Sequence, residues 1–248
     1  VSKRLENRDY LMNNFTIGLP CYNEEKNIIF CIKQTLESFP NSSNFEILIV
    51  DNNSSDNTTK IINEFIKVNN LHNIIKLLKN KKNITYSGSV NKIIKESKFD
   101  YVGIMDSDGQ YLPKDFIQLF NQLDNGFDLV FGRRVNRSDS FFRKSISFVF
   151  KIITKLIINH NLSDLNCGIK VLKRNIMIQN YTSILINHAN PELYCTYKSH
   201  DLKIGQISVS HSNRNEGKSI HNVFNLVVTF FSVLRYLFFL RKKYLIYK

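Results

Sequence analysis

Cysteine is scarce in this sequence of 248 residues, which contains four. Its cysteines form no C-x-x-C pair and stand near no cluster of histidines, which argues against a zinc site and against a disulfide framework. Unpaired thiols are typical of proteins from a reducing compartment. The cysteines are Cys21, Cys31, Cys167 and Cys195.

The sequence also has no glycine-rich phosphate loop, no internal repeat and no Pro/Gly-rich linker. Residues 1–14 are polar and charged, without the apolar run of a signal peptide. We therefore expect one domain, preceded by an N-terminal extension (1–14) and followed by a C-terminal apolar helix with a basic tail (221–248).

Acidic residues are in short supply, because 21 Asp and Glu stand against 34 Lys and Arg, a net charge of +13. Such an excess favours an acidic partner, which is nucleic acid, an anionic membrane or a phosphorylated substrate. No nucleic-acid-binding module with a basic stripe and interleaved aromatic residues is recognisable. We therefore expect no nucleic-acid partner.

Arginine is missing between Asp9 and Gly132 and then arrives in a group that includes Arg133, Arg134 and, later, Arg214. The chain otherwise uses Lys as its basic residue. The change to Arg therefore indicates that a planar guanidinium is required, and this group binds phosphate through two hydrogen bonds. The alternative is an ordinary solvated basic face.

Short apolar runs alternate with helical patterns through the first 132 residues. This alternation is typical of an α/β fold with a largely parallel, doubly wound sheet flanked by helices. Ligands of such sheets bind beyond the carboxyl ends of the strands, where the polar clusters of this sequence fall. The predicted strands are residues 15–19, 45–50, 74–78, 101–105, 128–131, 168–172 and 204–209.

One polar cluster, residues 106–110, follows the fourth predicted strand directly. Its carboxylates, Asp106 and Asp108, are two residues apart, and such a pair can bind a hard divalent cation that also holds a diphosphate. Gln110 adds a neutral oxygen. The alternative is an ordinary turn, in which Asp and Gly are common.

Two further polar segments follow the first and second predicted strands. Residues 20–25 open a helix, and Asn23 with the acidic residues after it also fits a simple helix cap. Residues 51–58 lead into the next helix and equally fit a polar loop with a cap. Both segments are candidate ligand-binding loops because of their place at the sheet edge.

The run 223–240 is strongly apolar, is interrupted by polar residues such as Asn225 and Arg235, and is followed by three basic residues. Eighteen such residues are marginal for a bilayer span. An amphipathic helix in the membrane interface, anchored by the basic residues, fits better. A core helix is the alternative.

Six short motifs follow one another in a specific order along the chain. They are Leu-Pro-Cys-Tyr-Asn-Glu-Glu (19–25), Ile-Val-Asp-Asn-Asn-Ser-Ser-Asp-Asn-Thr (49–58), Met-Asp-Ser-Asp-Gly-Gln (105–110), Gly-Arg-Arg (132–134), Ser-Asp-Leu-Asn-Cys-Gly-Ile-Lys-Val-Leu-Lys-Arg (163–174) and Asn-Arg-Asn-Glu-Gly-Lys-Ser (213–219). Together they resemble inverting family 2 glycosyltransferases of the GT-A fold. The last two resemble the polyprenyl-phosphate branch, typified by dolichol-phosphate mannosyltransferase. The resemblance implies a GT-A glycosyltransferase domain over residues 15–220.

The resemblance implies a nucleotide-sugar donor, GDP-mannose or a UDP-hexose, over the first half of the sheet. The family usually has an acidic residue or Gly where Asn52 and Asn53 stand, and an apolar residue where Gly109 stands. By position, Mg²⁺ or Mn²⁺ on the donor diphosphate would be held by Asp106, Asp108 and Gln110. The nucleoside would be cradled by Pro20, Tyr22, Glu24 and Asp51.

The acceptor implied by the resemblance is a polyprenyl phosphate, whose phosphate is already an anion and needs no general base. Arg133, Arg134 and Arg214 would hold it in line with the donor, helped by Lys218. A family 2 enzyme that transfers sugar to a hydroxyl of a glycan or glycolipid is the alternative. That enzyme needs a base, for which Asp164 is the candidate, and the other interpretation of Asp164 is a structural role in orienting the arginines.

A lipid acceptor predicts a peripheral protein at the cytosolic face of a membrane, held there by the C-terminal helix. Small membrane subunits are a further candidate partner. A catalytically inactive, scaffold-like relative is the remaining alternative, and the intact pair of Asp106 and Asp108 argues against it.

Overall fold

The computed structural model of the chain describes residues 14–40, 44–135, 141–175, 188–212 and 226–245. Within those ranges strands and helices alternate as the sequence predicts. In chain order they are β1 (Phe15–Cys21), α1 (Ile28–Ser38), β2 (Phe45–Asp51), α2 (Thr58–Val68), β3 (Ile75–Lys79), α3 (Thr85–Glu96), β4 (Tyr101–Ile104), α4 (Asp115–Asp124), β5 (Leu129–Arg134), α5 (Phe141–Ile158), β6 (Lys170–Lys173), α6 (Ala189–Ser199), β7 (Ile204–Val209) and α7 (Leu226–Tyr244).

The strands form one seven-stranded sheet in the order β3-β2-β1-β4-β6-β5-β7. The pairs β3–β2, β2–β1, β1–β4 and β5–β7 are parallel. The exception is β6, which lies antiparallel to both β4 and β5. The predicted α/β fold with a mostly parallel sheet is therefore confirmed.

The two faces of the sheet bury separate hydrophobic clusters, because successive side chains of a strand point to opposite faces. In β2, Ile47 and Ile49 join the cluster on one face, and Leu48 and Val50 join the cluster on the other. All four side chains are fully buried. Such burial is worth roughly 1.5–3 kcal/mol per side chain, which accounts for the continuous apolar runs of the central strands.

The C-terminal helix α7 packs against α5 and α6. Val233, Leu237 and Leu240 are buried in the core, whereas Phe231 and Phe238 on the same helix are more than half exposed. The helix thus contributes to the core and also leaves large apolar side chains in solvent. Among the residues that the structure describes, no helix combines the length and the hydrophobicity that crossing a bilayer requires.

Candidate active site

A cavity of about 620 Å³ opens at the carboxyl ends of β1, β2 and β4, which are neighbours in the sheet. This is the edge at which parallel α/β sheets bind ligands. The first turn of α3, the loop before β6 and the start of α6 complete its walls. The lining residues are Pro20, Cys21, Tyr22, Glu24, Asn52, Asn83, Thr85, Tyr86, Ser89, Asp106, Ser107, Asp108, Gln110, Asn166, Gly168, His188, Ala189 and Asn190.

Hydrogen bonds between loops fix the floor of this cavity. The backbone N–H of Asn23 donates to Ser54 Oγ at 2.9 Å, and that of Glu24 donates to Thr58 Oγ1 at 2.9 Å, which joins the loops after β1 and β2. Ser107 Oγ donates to the carbonyl oxygen of Pro20 at 2.9 Å and joins the loop after β4 to that after β1. The three sequence motifs therefore form one preorganised surface.

Asp106, Asp108 and Gln110, which the sequence resemblance implies as metal ligands, all line the cavity. The backbone N–H of Gln110 donates to Asp108 Oδ1 at 3.2 Å. Gln110 Nε2 donates to the carbonyl oxygen of Ser212 at 3.1 Å, which leaves the amide oxygen as the acceptor end of that side chain.

This donor set fits a hard cation that shares a diphosphate. Within the described ranges, no group of three or more His, Cys, Asp or Glu side chains comes together as a metal centre. Mg²⁺ in phosphate-transferring sites is held by one or two carboxylates, with substrate phosphates and water completing the shell. The two carboxylates and one amide oxygen match that pattern.

Pro20, Tyr22 and Glu24 lie in the cavity wall, but Asp51 does not belong to it. The Asp51 side chain is fully buried. Its carboxylate accepts hydrogen bonds from the backbone N–H and the hydroxyl of Ser54 and from the hydroxyl of Thr59. Those bonds shape the loop after β2. Asp51 therefore supports the loop that carries the cavity residue Asn52.

The neighbouring residue Asn52 faces the cavity, which the sequence analysis missed. Its Oδ1 accepts from the backbone N–H of Ile84 at 2.8 Å, and its Nδ2 donates to Asn83 Oδ1 at 2.9 Å. Asn52 thereby ties the loop after β2 to the segment that opens α3.

Sequence reasoning also missed the walls made by α3 and by the segment before β6. Tyr86 donates its hydroxyl proton to Asp106 Oδ1 at 2.8 Å. Burial, with the nearby Asp106 charge, raises the pKa of Tyr86 well above its ordinary value. The polar run 83–89 at the carboxyl end of β3 was the available signal, since that edge is shared with β1 and β2.

A second cavity, of about 270 Å³, meets the first at Asn166, which lines both. Its other walls combine basic, polar and apolar side chains from the end of β5, from α5 and from the loop after α5. The lining residues are Arg134, Phe148, Phe150, Lys151, Thr154, His160, Ser163, Asp164, Leu165 and Asn166.

Arg134 and Asp164 form a bidentate ion pair in the second cavity, with Nε–Oδ2 and Nη2–Oδ1 distances of 2.7 and 2.9 Å. Their side chains are only 15% and 12% exposed. Burial opposes the charge of Arg134, but the hydrogen bonds and the charge of Asp164, together with the nearby Tyr111 and Cys167, outweigh burial, so the pKa of Arg134 is raised.

The other predicted basic residues do not join this pair. Consecutive strand residues point to opposite faces, and Arg133 is accordingly exposed and donates to Ser208 Oγ at 2.6 Å. Arg214 and Lys218 lie outside the described residues.

All four cysteines are buried free thiols. Burial raises the pKa of Cys31 to about 12 and that of Cys167 to about 11. Cys21, which reaches the cavity wall, also has its pKa raised, first by burial and then by Asp51. The raised pKa values favour protonated thiols at neutral pH, which are poor nucleophiles.

Comparisons with known proteins agree with the motifs and the fold. Residues 16–180 match the model of glycosyl transferase family 2. The chain is 26% identical over 228 residues to the undecaprenyl-phosphate 4-deoxy-4-formamido-L-arabinose transferase of Proteus mirabilis, covering 90% of this chain and 67% of the relative. It is 25% identical to the protein of that name from Photorhabdus laumondii, covering 88% and 66%. The chain thus spans about two thirds of the length of these relatives.

Among solved structures, the fold is similar to glucosyl-3-phosphoglycerate synthase of Mycobacterium tuberculosis. The structure of that enzyme with Mn²⁺ and UDP-glucose gives a TM-score of 0.68 at 15% identity, over 92% of this chain and 78% of the enzyme. Its complex with Mn²⁺, UDP and phosphoglyceric acid gives 0.65 at 15% identity, over 90% and 75%. The resemblance drawn from the six motifs is confirmed: the chain belongs to glycosyl transferase family 2 and is distantly related to the undecaprenyl-phosphate arabinose transferases.

Proposed function

We propose that this glycosyltransferase moves a sugar from a nucleotide-sugar donor to a polyprenyl phosphate at the surface of a membrane. The observation that carries the proposal is the meeting of two unlike cavities at Asn166. The first holds the carboxylates Asp106 and Asp108, and the second holds the cations Arg134 and Lys151. A metal-bound diphosphate suits the former, and a phosphate acceptor suits the latter.

The donor lies in the first cavity in this proposal. Pro20, Tyr22, Glu24 and Asn52 contact the nucleoside, and Asp51 orients the loop on which Asn52 stands. Asp106, Asp108 and Gln110 would hold Mg²⁺ or Mn²⁺, and such an ion would supply charge stabilisation to a departing diphosphate. The solved relative that was crystallised with Mn²⁺ and UDP-glucose supports this choice of ligands.

The acceptor phosphate lies in the second cavity. An oxygen of that phosphate forms the new bond to C1 of the sugar, while the bond from C1 to the nucleoside diphosphate breaks and its electron pair leaves with the β-phosphate oxygen. The acceptor is an anion at neutral pH, so no proton must be removed. Arg134 and Lys151 orient it, and Asp164 holds the Arg134 guanidinium in place.

A hydroxyl acceptor is the second candidate, with Asp164 as the base. The geometry favours the phosphate acceptor over it, because both carboxylate oxygens of Asp164 accept hydrogen bonds from Arg134. Taking up a proton would remove the negative charge with which Asp164 holds the Arg134 guanidinium. The named activity of the related arabinose transferases also involves an undecaprenyl phosphate.

The proposal includes docking on an anionic bilayer through α5 and α7. These helices pack against each other, and both leave large apolar side chains exposed, among them Phe148 at 63%, Leu156 at 72% and Phe231 at 64%. Basic side chains accompany them, including three in the last turn of α7. Exposed apolar groups flanked by Lys and Arg are the pattern of helices that lie in the membrane interface.

The division of the chain into an extension (1–14), a GT-A domain (15–220) and a C-terminal helix with its tail (221–248) is part of the proposal. Arg214 and Lys218, which fall between the described ranges, are proposed as further ligands of the acceptor phosphate. Location at the cytosolic face and a role for small membrane subunits follow from the same proposal.

A transfer assay with matched acceptors tests the proposed function. The protein is incubated with GDP-mannose, UDP-glucose or UDP-GlcNAc, with Mn²⁺ or Mg²⁺, and with a polyprenyl phosphate or the corresponding polyprenol. We expect a lipid-linked sugar from the phosphate alone, and its loss in Asp108→Ala. The matched control is Asp124→Ala, whose carboxylate accepts a hydrogen bond from the Tyr101 hydroxyl on the surface and does not line the cavity.

Sugar transfer to the polyprenol instead would support the hydroxyl-acceptor enzyme. Transfer to neither acceptor from any donor would contradict both candidate functions.

A further inference from the structure

Lys170 is a fully buried lysine in the middle of the sheet. It lies on β6, opposite Ile104 of β4 on one side and Phe131 of β5 on the other. Removing an ammonium group from water costs several kcal/mol unless hydrogen bonds and opposite charge compensate. A lysine in this position is therefore stable only where hydrogen-bond acceptors or a negative charge lie next to its ammonium group.

The hydrogen-bond partners of Lys170 connect it to the first cavity, which is called the donor cavity here because the donor is proposed to bind in it. Its Nζ donates to the Tyr86 hydroxyl oxygen at 3.2 Å and to the carbonyl oxygen of Gly168 at 3.3 Å. Tyr86 in turn donates to Asp106 Oδ1 at 2.8 Å. The three side chains form a line that runs from the centre of the sheet to the first carboxylate of residues 106–110.

The direction of these hydrogen bonds is fixed by chemistry. An ammonium group can only donate, so the Tyr86 oxygen must accept from Lys170. The single hydroxyl proton of Tyr86 is then directed to Asp106. Oδ1 of Asp106 is held by that bond, and Oδ2 lies against Gly168, where an added methyl group would stand only 2.1 Å from it.

We propose that Lys170 is a positioning residue for the metal–diphosphate site and that it acts through Tyr86 on Asp106. The inference rests on the proposed function, because it concerns how the donor cavity holds its cation. Without the Lys170 ammonium, the Tyr86 hydroxyl loses one of the groups that orient it, and its hold on Asp106 weakens. Partners that orient a metal ligand typically change metal affinity by about 10- to 100-fold when they are removed.

The test is a double-mutant cycle read out as Mn²⁺ affinity, measured by electron paramagnetic resonance of the free ion in the presence of UDP or GDP. Lys170→Met keeps the length of the side chain and removes its charge, and Tyr86→Phe keeps the ring and removes the hydroxyl. We expect each to raise the Mn²⁺ dissociation constant at least tenfold. We expect the double variant to be no more than about twofold weaker than Tyr86→Phe, because residues that act in series are not additive.

Lys173→Met is the matched control. Lys173 lies on the same strand and pairs with Asp128 at 3.1 Å, away from the cavity-lining residues. We expect its Mn²⁺ affinity to equal that of the wild type. Urea unfolding of each variant shows that the proteins compared are folded.

If the losses in Mn²⁺ affinity of the two single variants add up in the double variant, the positioning role is overturned. Lys170 would then act independently of Tyr86. Unchanged Mn²⁺ affinity in Tyr86→Phe would overturn it too, even if Lys170→Met did not fold. Failure of the wild type to bind Mn²⁺ with either nucleotide is a different outcome, because it would contradict the proposed function itself.

Discussion

The α-carbon of Gly168 lies against the carboxylate of Asp106, so that a methyl group on Gly168 would stand 2.1 Å from Oδ2 and 2.8 Å from the ring of Tyr111. No side chain tolerates the first of these distances, and Asp106 would have to move. The backbone N–H of Gly168 also donates to the Tyr111 hydroxyl at 2.9 Å, which limits how far the backbone can yield. The absence of a side chain at Gly168 therefore leaves the space that the Asp106 carboxylate occupies.

Gly168→Ala is expected to weaken Mn²⁺-dependent nucleotide binding by at least tenfold, because it displaces Asp106. Gly205→Ala is the control, since the atoms nearest to its added methyl group belong to the Phe127 ring, at 2.9 Å, and not to a cavity residue. That variant is expected to lose stability in urea while keeping nucleotide affinity. Equal affinities in both variants, measured by isothermal titration calorimetry, would show that Gly168 does not shape the site.

Asp164→Ala is expected to destabilise the protein by about 3 kcal/mol, because it leaves the buried Arg134 guanidinium without its counter-charge. Replacing both residues by Leu removes the charge as well and is expected to cost less than the single change. Glu96→Ala is the control. Its carboxylate meets Lys76 at 3.7 Å, and both side chains are about half exposed, so a loss below about 1 kcal/mol is expected.

Urea unfolding at pH 7 measures these differences in the free energy of unfolding. A double variant as unstable as Asp164→Ala would mean that the lost packing, and not the unpaired charge, causes the effect.

Most of the strands could be predicted because the central strands are buried on both faces and read as continuous apolar runs. The run predicted at 45–50 is β2, whose residues are all buried. The orientation of β6 could not be predicted, since a four-residue strand such as Lys170–Lys173 carries no sign of direction. It depends on where the chain re-enters the sheet after α5.

The candidate site was predictable where polar residues follow a strand and less so where a residue lies inside one. Asp106 and Asp108 come directly after β4, where the sequence predicts ligand-binding residues, and both line the cavity. Asp51 and Asn52 are neighbours at the end of β2, and their sequence does not tell which of the two faces the cavity. From the sequence, a lysine in an apolar strand is expected at an edge or on the surface. Only the packing in the structure shows that Lys170 is buried.

The stability of the protein is expected to fall between pH 6.5 and pH 4 through His160. Burial, followed by the nearby charges of Lys155, Lys151 and Lys198, lowers the pKa of this histidine to about 4. The unfolded chain, with the ordinary value near 6.5, takes up the proton first as the pH falls. His160 therefore stabilises the fold fully above pH 6.5, and that contribution is lost as the pH falls toward 4.

Urea unfolding of the wild type and His160→Phe between pH 8 and pH 4.5 measures this contribution. The wild type is expected to lose more stability than the variant on acidification, because other titrating groups are common to both proteins. Parallel curves for the two proteins would exclude His160 as the source.

Binding to anionic vesicles is expected to depend on the exposed apolar side chains of α5 and α7. A double variant with Phe148→Ser and Leu156→Ser is expected to bind at least tenfold more weakly in co-sedimentation, since each side chain contributes roughly 1.5–3 kcal/mol when buried in the interface. Val68→Ser is the control, because Val68 is 82% exposed but lies on α2. Equal binding of the double variant and the wild type would contradict the proposed docking surface.

The central claim is that the first cavity holds a nucleoside diphosphate through a divalent cation on Asp106 and Asp108. Isothermal titration of UDP and GDP, with Mn²⁺ and with a chelator, tests it most directly in the wild type, Asp108→Asn and the surface control Asp124→Asn. We predict that one of the nucleotides binds the wild type and the control only when Mn²⁺ is present, and that Asp108→Asn loses this binding. Nucleotide binding that is the same with and without Mn²⁺, or the same in Asp108→Asn, would contradict the claim.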